Sequence, residues 1–366
     1  MTFKHTHLFV VLYLLFNSTQ ANSLVVLQQV SVSTSVEYDT NPTLVSSNAQ
    51  PIFRYTASPK YTLSGVDGNN LWYTNVGINF QRSSNQSVSG DRKDPKINIG
   101  WEREYEKGRY SIIAAYDKSS SRFSELNTTG IVDKDGTITS KSIAVAWSRL
   151  LNERLDLSVN GQYAKSEVTK SSFNNTTNKT LGAVLTYELS EKIKPFIQAN
   201  LSELSSSNGS SSSTISQNYL LGTNLEVNPQ LSLSGSLGLN HQQNAGNGWV
   251  ANTTASYLGE KYNIHGALSR NVVPSATGQF QKNDNLSLVY GYDFSSTSKT
   301  GVDFSWNSNS SINGSETRQL SGYYSKELSD LWQFRFNLTL KELKNSNQSA
   351  KDGVLGVTFT YNTPEF

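Results

Sequence analysis

Cysteine is absent from the chain, and with it go disulfides, thiolate metal sites and a lipid-attachment thiol. Charge is scarce too: Asp, Glu, Lys and Arg make up 16% and balance to +2, too even for a nucleic-acid-binding surface. Apolar residues reach only 36%, below the roughly 45–50% typical of globular domains counted with glycine. A chain so poor in Leu, Ile and Val cannot fill a large solid core. Nor does it read as a solvated disordered chain, because charge is low and aromatic residues amount to 11%. Long apolar runs are missing as well. The longest, Leu8 to Phe16, falls well short of the roughly 20 residues a membrane-spanning helix needs.

That short run has the flanks of a secretory signal. Lys4, His5 and His7 form a polar start, and Thr19-Gln20-Ala21 offers small residues at the cleavage spacing. The organisation predicted is a signal peptide over 1–21 and one domain over 22–366.

Ser, Thr and Asn fill the space left by apolar and charged residues, and they fill it periodically. In Leu155, Leu157, Val159, Gly161 and Tyr163, alternating with Asp156, Ser158, Asn160 and Gln162, the period is two. It puts apolar groups on one face of a strand and hydrogen-bonding groups on the other. The preceding turn, Leu151-Asn152-Glu153-Arg154, has counterparts at Leu189-Ser190-Glu191-Lys192, Val227-Asn228-Pro229-Gln230, Leu258-Gly259-Glu260-Lys261 and Leu328-Ser329-Asp330-Leu331. Their spacing of roughly 30 to 40 residues suits two strands and one outer loop per repeat.

The same alternation runs from Val30 to Tyr361 and predicts about eighteen strands, an even number as in single-chain outer-membrane barrels. The Trp249 row is the weakest of them, leaving a range of about 16–18. Pro59 falls inside the second row, where its missing N–H predicts a bulge or bend. Short turns alternate with polar loops near 39–51, 84–95, 122–138, 168–178, 204–213, 241–248, 272–283, 307–317 and 343–352. The fold class expected is therefore all-β: a transmembrane antiparallel up-and-down β-barrel with short periplasmic turns and longer extracellular loops.

Aromatic residues concentrate beside the short turns at apolar parity: Trp72, Trp101, Trp147, Tyr187, Tyr257, Tyr262, Tyr292, Tyr324, Trp332 and Tyr361. A belt at the periplasmic lipid interface is expected, with Arg103 and Arg149 snorkelling to lipid phosphates.

The chain also resembles the outer-membrane β-barrel porin family associated with exopolysaccharide systems. Three segments carry the likeness: Glu37-Tyr38-Asp39-Thr40-Asn41-Pro42, Ser121 to Gly130, and Trp147 to Arg154. The resemblance implies a barrel with an envelope role. The terminal Phe366 follows Pro364 and is out of phase with Phe359 and Tyr361, a departure from the usual assembly signal.

The functional candidates are the charges at polar parity, which would face the lumen and set the field on a passing solute. They are Glu37, Asp39, Arg54, Lys60, Glu102, Glu104, Asp117, Asp156, Glu188, Lys194, Glu226, Asp303, Arg335 and Lys341. Pairing across the wall is the equally weighted alternative. The longest loop, Arg122 to Thr139, is expected to stay solvated outside rather than fold inward as in general-diffusion porins. His241, in a predicted outer loop, and His265, at lumen parity near a turn, stand far apart and outside any Ser/His/acid arrangement. No catalytic residue, metal ligand set or cofactor motif is found.

The function expected is a passive outer-membrane channel for polar solutes or an exported polysaccharide, and not an enzyme. The alternative is a non-conducting scaffold or surface receptor. Outer-membrane lipids and the barrel-assembly machinery are the expected partners, nucleic acid is not, and the oligomeric state is left open.

Overall fold

In a computed structural model the chain forms one antiparallel sheet of eighteen strands that closes on itself. The structure describes residues 25–364 apart from 123, 125, 127–131, 133–135, 170–172, 208–211, 244–245, 310–313 and 347–348. The proposed signal and Phe366 lie outside these described residues.

The strands are β1 (Val25–Asp39), β2 (Ile52–Asp67), β3 (Asn70–Ser83), β4 (Arg92–Tyr105), β5 (Gly108–Ser120), β6 (Thr137–Asn152), β7 (Leu155–Thr169), β8 (Thr176–Tyr187) and β9 (Ile193–Ser206). They continue as β10 (Ser212–Asn228), β11 (Leu231–Gln242), β12 (Gly246–Leu258), β13 (Tyr262–Pro274), β14 (Phe280–Ser295), β15 (Ser298–Asn309), β16 (Ser315–Glu327), β17 (Trp332–Asn345) and β18 (Ser349–Asn362). Each pairs with its sequence neighbours, and β1 pairs with β18 to close the wall. Closure leaves no edge whose backbone polar groups would meet hydrocarbon.

The alternation sorts the side chains. Outward rows carry apolar groups, with Leu221, Leu237 and Leu239 each more than 60% exposed. Such a surface is unstable in water and suits lipid. Inward rows are mostly Ser, Thr, Asn, Gln and charge, with a few apolar residues such as Leu204, Leu220 and Val250. The strands run from 12 to 17 residues, longer than the roughly 9–11 needed to cross a bilayer, so the ladder continues past the apolar band.

That continuation shortens several expected loops. The Trp249 row is strand β12, and its pairing with β11 continues up to Gln242 and Gly246. Pro59 makes no bulge. The β2–β3 ladder omits Ser58 and Pro59 and resumes in the same register at Lys60–Gly77. A missing N–H here costs local pairing without adding a residue.

Candidate functional site

The Asp39-Thr40-Asn41 segment fastens the outer end of the seam between β1 and β18. The Thr40 N–H donates to the Gly353 carbonyl at 3.0 Å, and the Gly353 N–H returns a bond to Thr40 Oγ1 at 2.8 Å. The Asn41 N–H donates to Asp352 Oδ1 at 3.0 Å and to Asp39 Oδ1 at 3.2 Å. The Asn41 side-chain amide donates to the carbonyls of Val45 and Lys351. Arg54 reaches Asp39 at 2.7 Å and Glu37 at 3.4 Å. Asp39 is 0% exposed, so its carboxylate is sealed inside this clamp instead of facing a passing solute, which corrects its expected place on the open lumen.

The remaining charged candidates take inward positions, several of them in pairs. Glu102 meets Arg109 at 3.8 Å, Asp117 meets Lys96 at 3.1 Å, and Glu188 meets Lys194 at 3.1 Å. Asp156 accepts from Ser158 at 3.2 Å, and Arg335 lies 4.1 Å from the centre of the Tyr323 ring. Lys60, Glu104, Glu226, Asp303 and Lys341 share the inward parity. Inward charges absent from the expectation are Arg92, Asp94, Lys96, Arg109, Asp293, Lys299, Glu327 and Asp352. Three of these, Arg92, Asp94 and Asp352, lie in segments read as loop.

The charges are unevenly distributed. On β17, β18 and β1 to β5 they climb to the outer rim. From β6 to β16 the inward charges among the described residues are Asp156, Glu188, Lys194, Glu226, Asp293, Lys299, Asp303 and Glu327, all in the periplasmic half of the wall. Above them this wall is mostly hydroxyl and amide, with buried aliphatic residues such as Leu204, Leu220 and Val250 among them. Asn240 Nδ2 donates to Ser216 Oγ at 2.8 Å and to Asn218 Oδ1 at 2.6 Å, and Asn240 Oδ1 accepts from Gln242 at 3.0 Å.

Outer loops fold into the mouth. Loop 1 (40–51) buries Leu44 at 1% exposure, with a φ of 47° that costs about 1–3 kcal/mol for a non-glycine residue. Leu44 packs with Leu343 of β17, Ala350 of β18, and Leu126 and Val132 of loop 3 (121–136). Leu126 also lines a cavity against β14 to β17, across the opening from β5 and β6. Leu126 and Val132 of loop 3 therefore enter the mouth, contrary to the solvated position expected of the loop. Its apolar residues find there a partner that the water outside does not offer. Arg122 braces its base by donating to the Val88 carbonyl at 2.5 Å.

Loop 4 (170–175) and loop 7 (275–279) also meet. The Asn174 N–H donates to the Ala276 carbonyl at 2.9 Å, and its side-chain amide to the Thr277 carbonyl at 3.2 Å.

The ten aromatic candidates sit at outward parity near the short turns. Trp72 faces Trp101, Trp147 faces Tyr110, Tyr187 faces Leu155 and Tyr324 faces Thr300 across their ladders. Tyr262 pairs with Tyr292 and stacks on Tyr257 at 5.5 Å, and Trp332 lies 5.1 Å from Tyr361. Trp72 lies flat over Gly65, where any side chain would collide with the indole.

The histidines face opposite sides. His241 is on β11 rather than in a loop, points outward and bonds Asn247 at 2.7 Å. His265 points inward, with Nδ1 2.8 Å from Ser256 Oγ. Among the described residues no carboxylate is hydrogen-bonded to His265, so this pair lacks the third group that orients a catalytic imidazole.

No family model matches the chain, and no curated protein matches it in sequence. Solved structures do share its fold. The outer membrane protein OpdK of Pseudomonas aeruginosa is 11% identical with a TM-score of 0.53, covering 93% of this chain and 99% of that one. OccAB4 of Acinetobacter baumannii is 7% identical with a TM-score of 0.52, covering 95% and 100%. The siderophore receptor PirA of P. aeruginosa is 10% identical with a TM-score of 0.53, covering 95% and 81%. The fold is that of Gram-negative outer-membrane β-barrels, and the outward apolar band places the chain in that membrane.

Proposed function

We propose that the chain is a passive channel carrying small polar solutes across the outer membrane. A single observation carries this reading: the closed wall of eighteen strands is apolar outside and lined inside by hydroxyl, amide and charged groups. Barrels of 16–18 strands are wide enough to leave an aqueous passage. The inward charges Glu37, Lys60, Asp117, Arg335 and Lys341 would shape the field within it. The outward aromatic residues would sit at the periplasmic lipid interface.

The exopolysaccharide association has no support from the comparisons, and polysaccharide export is set aside. Catalysis is not assigned, since among the described residues Ser256 and His265 stand without an acid partner.

A second reading has its own observation. The packing of Leu44, Leu126, Leu343 and Ala350 narrows the mouth and suits a non-conducting scaffold or surface receptor. Single-channel recording on the refolded protein in planar bilayers separates the two. Discrete conductance steps are expected. Folded protein that yields none would overturn the channel in favour of the scaffold.

A further inference from the structure

Beneath Leu126 of loop 3 the lumen face of β14, β15 and β16 carries several polar atoms without a hydrogen-bond partner among the described residues. Asn285, Asn307 and Thr317 are successive cross-strand partners, and Ser305 and Gln319 pair in the adjoining inward row. Together with Leu126 they enclose a cavity of about 170 Å³, to which β17 adds Lys341. Asn307 and Thr317 are only 5% and 7% exposed. Yet among the described residues Asn307 Oδ1 and Thr317 Oγ1 have no hydrogen-bond partner, and neither does Asn283 Oδ1 a little higher on β14. Burying a polar atom unpaired costs about 1–3 kcal/mol. Two such atoms on neighbouring strands, both buried beside one cavity, form a place where something hydrogen-bonding belongs.

The surroundings restrict what that is. Among the described residues no carboxylate lines the cavity, and Lys341 is the one cation there. A ligand is offered amide oxygens, amide N–H groups and hydroxyls, which match neutral groups able to donate and accept together. Leu126 covers the cavity with an aliphatic surface. A pyranose has this pair of properties: a rim of hydroxyls and C–H faces that tolerate an apolar neighbour. The cavity is smaller than the roughly 300–1,000 Å³ of pockets for drug-sized ligands, which fits a single ring better than a chain.

We infer that the loop 3 cavity is a subsite for an uncharged sugar ring, held by Asn285, Asn307, Thr317 and Gln319 and covered by Leu126. This names a solute class for the proposed channel and rests on that reading for the sugar's route. The geometry assigns recognition to the neutral wall and leaves the charged strands to act on ions.

The test is single-channel recording with glucose added to one side, alongside succinate as a charged solute of comparable size. Wild-type current is expected to show saturable, glucose-dependent interruptions that succinate does not reproduce. N307A/T317V is expected to require about tenfold more glucose for half-block, the loss of roughly one hydrogen bond's worth of binding. Conductance steps without glucose-dependent block would overturn the subsite and leave the channel standing. So would equal block by succinate, or an unchanged response in the variant. If no steps appear, the channel reading fails. Saturation-transfer NMR with glucose on the folded wild-type protein and N307A/T317V then decides the subsite. Transfer lost in the variant supports it, and transfer absent from the wild type or equal in both removes it.

Discussion

The two arcs of the barrel wall use different chemistry for the same task. On β17, β18 and β1 to β5 the inward rows are held by ion pairs, from Arg54 with Asp39 at the rim to Arg109 with Glu102 near the turns. From β6 to β16 the upper lumen is held by short polar side chains such as Ser216, Asn218, Asn240 and Gln242. The charged arc contains the closing seam and the landing place of loop 1. There two distant parts of the chain must find each other in one register, and a charge in the wrong register has no counterion. The neutral arc is made of sequential hairpins, whose register the short turns already fix. Charge has therefore been placed where closure needs specificity, and neutral hydrogen bonding where a solute could be received.

Arg54→Met should separate the arcs most sharply. It strips the sealed Asp39 carboxylate of its cation, and losing one partner of a buried pair costs about 3–5 kcal/mol. Asn240→Ala removes a buried amide from the neutral arc and should cost about 1–3 kcal/mol. Urea unfolding in lipid vesicles, followed by tryptophan fluorescence, measures both. Equal losses would mean that the seam has no special dependence on charge.

An intermediate effect is expected at the mouth. Gly278 has a φ of +83°, and a side chain there would put its first carbon 2.6 Å from Ser206 Cβ. Gly278→Ala should cost about 1–3 kcal/mol in backbone strain. Loop 7 would lift away from β9 and loosen its contact with Asn174. Current through the variant should fluctuate more than wild type, while the half-blocking glucose concentration stays the same because the loop 3 cavity lies elsewhere. A changed glucose response would show that the two loop pairs act as one unit.

Much of this architecture was legible in the alternation. A half-buried strand must repeat every two residues, so rows such as Leu155 to Tyr163 disclosed both the strand and its outward face. The turn at Asn152 to Arg154 and its counterparts then counted the hairpins. What escaped notice depends on neighbours distant in sequence. Arg92, Asp94 and Asp352 belong to polar segments that read as loop, because strands that have left the membrane pair through the same Ser, Asn and Lys that mark turns. The inward place of Leu126 is not legible locally, because its apolar partners are Leu44, Leu343 and Ala350, which nothing in the neighbouring sequence connects to it. The proposed sugar subsite is hidden for a related reason. Asn285, Asn307 and Thr317 are ordinary inward residues until the ladder aligns them and burial leaves two of them unpartnered.

The smallest effects on stability should reveal which face of the wall a charge occupies. Lys60 is exposed on the inward face of β2 and makes no ion pair among the described residues, so Lys60→Glu should leave unfolding nearly unchanged. It reverses a charge within the proposed passage, however, and reversal potentials under a salt gradient should move toward cation selectivity. Lys179 points outward from β8 and meets Glu203 at 3.1 Å on the exposed rim. Lys179→Gln removes the same kind of charge from the other side of one strand's thickness. Its selectivity should equal that of the wild type, because outer ions and the low-dielectric wall screen it from the lumen. A shift as large as that of Lys60→Glu would mean that ions cross along the outside of the barrel or through the loops, and the sealed wall would no longer explain the current.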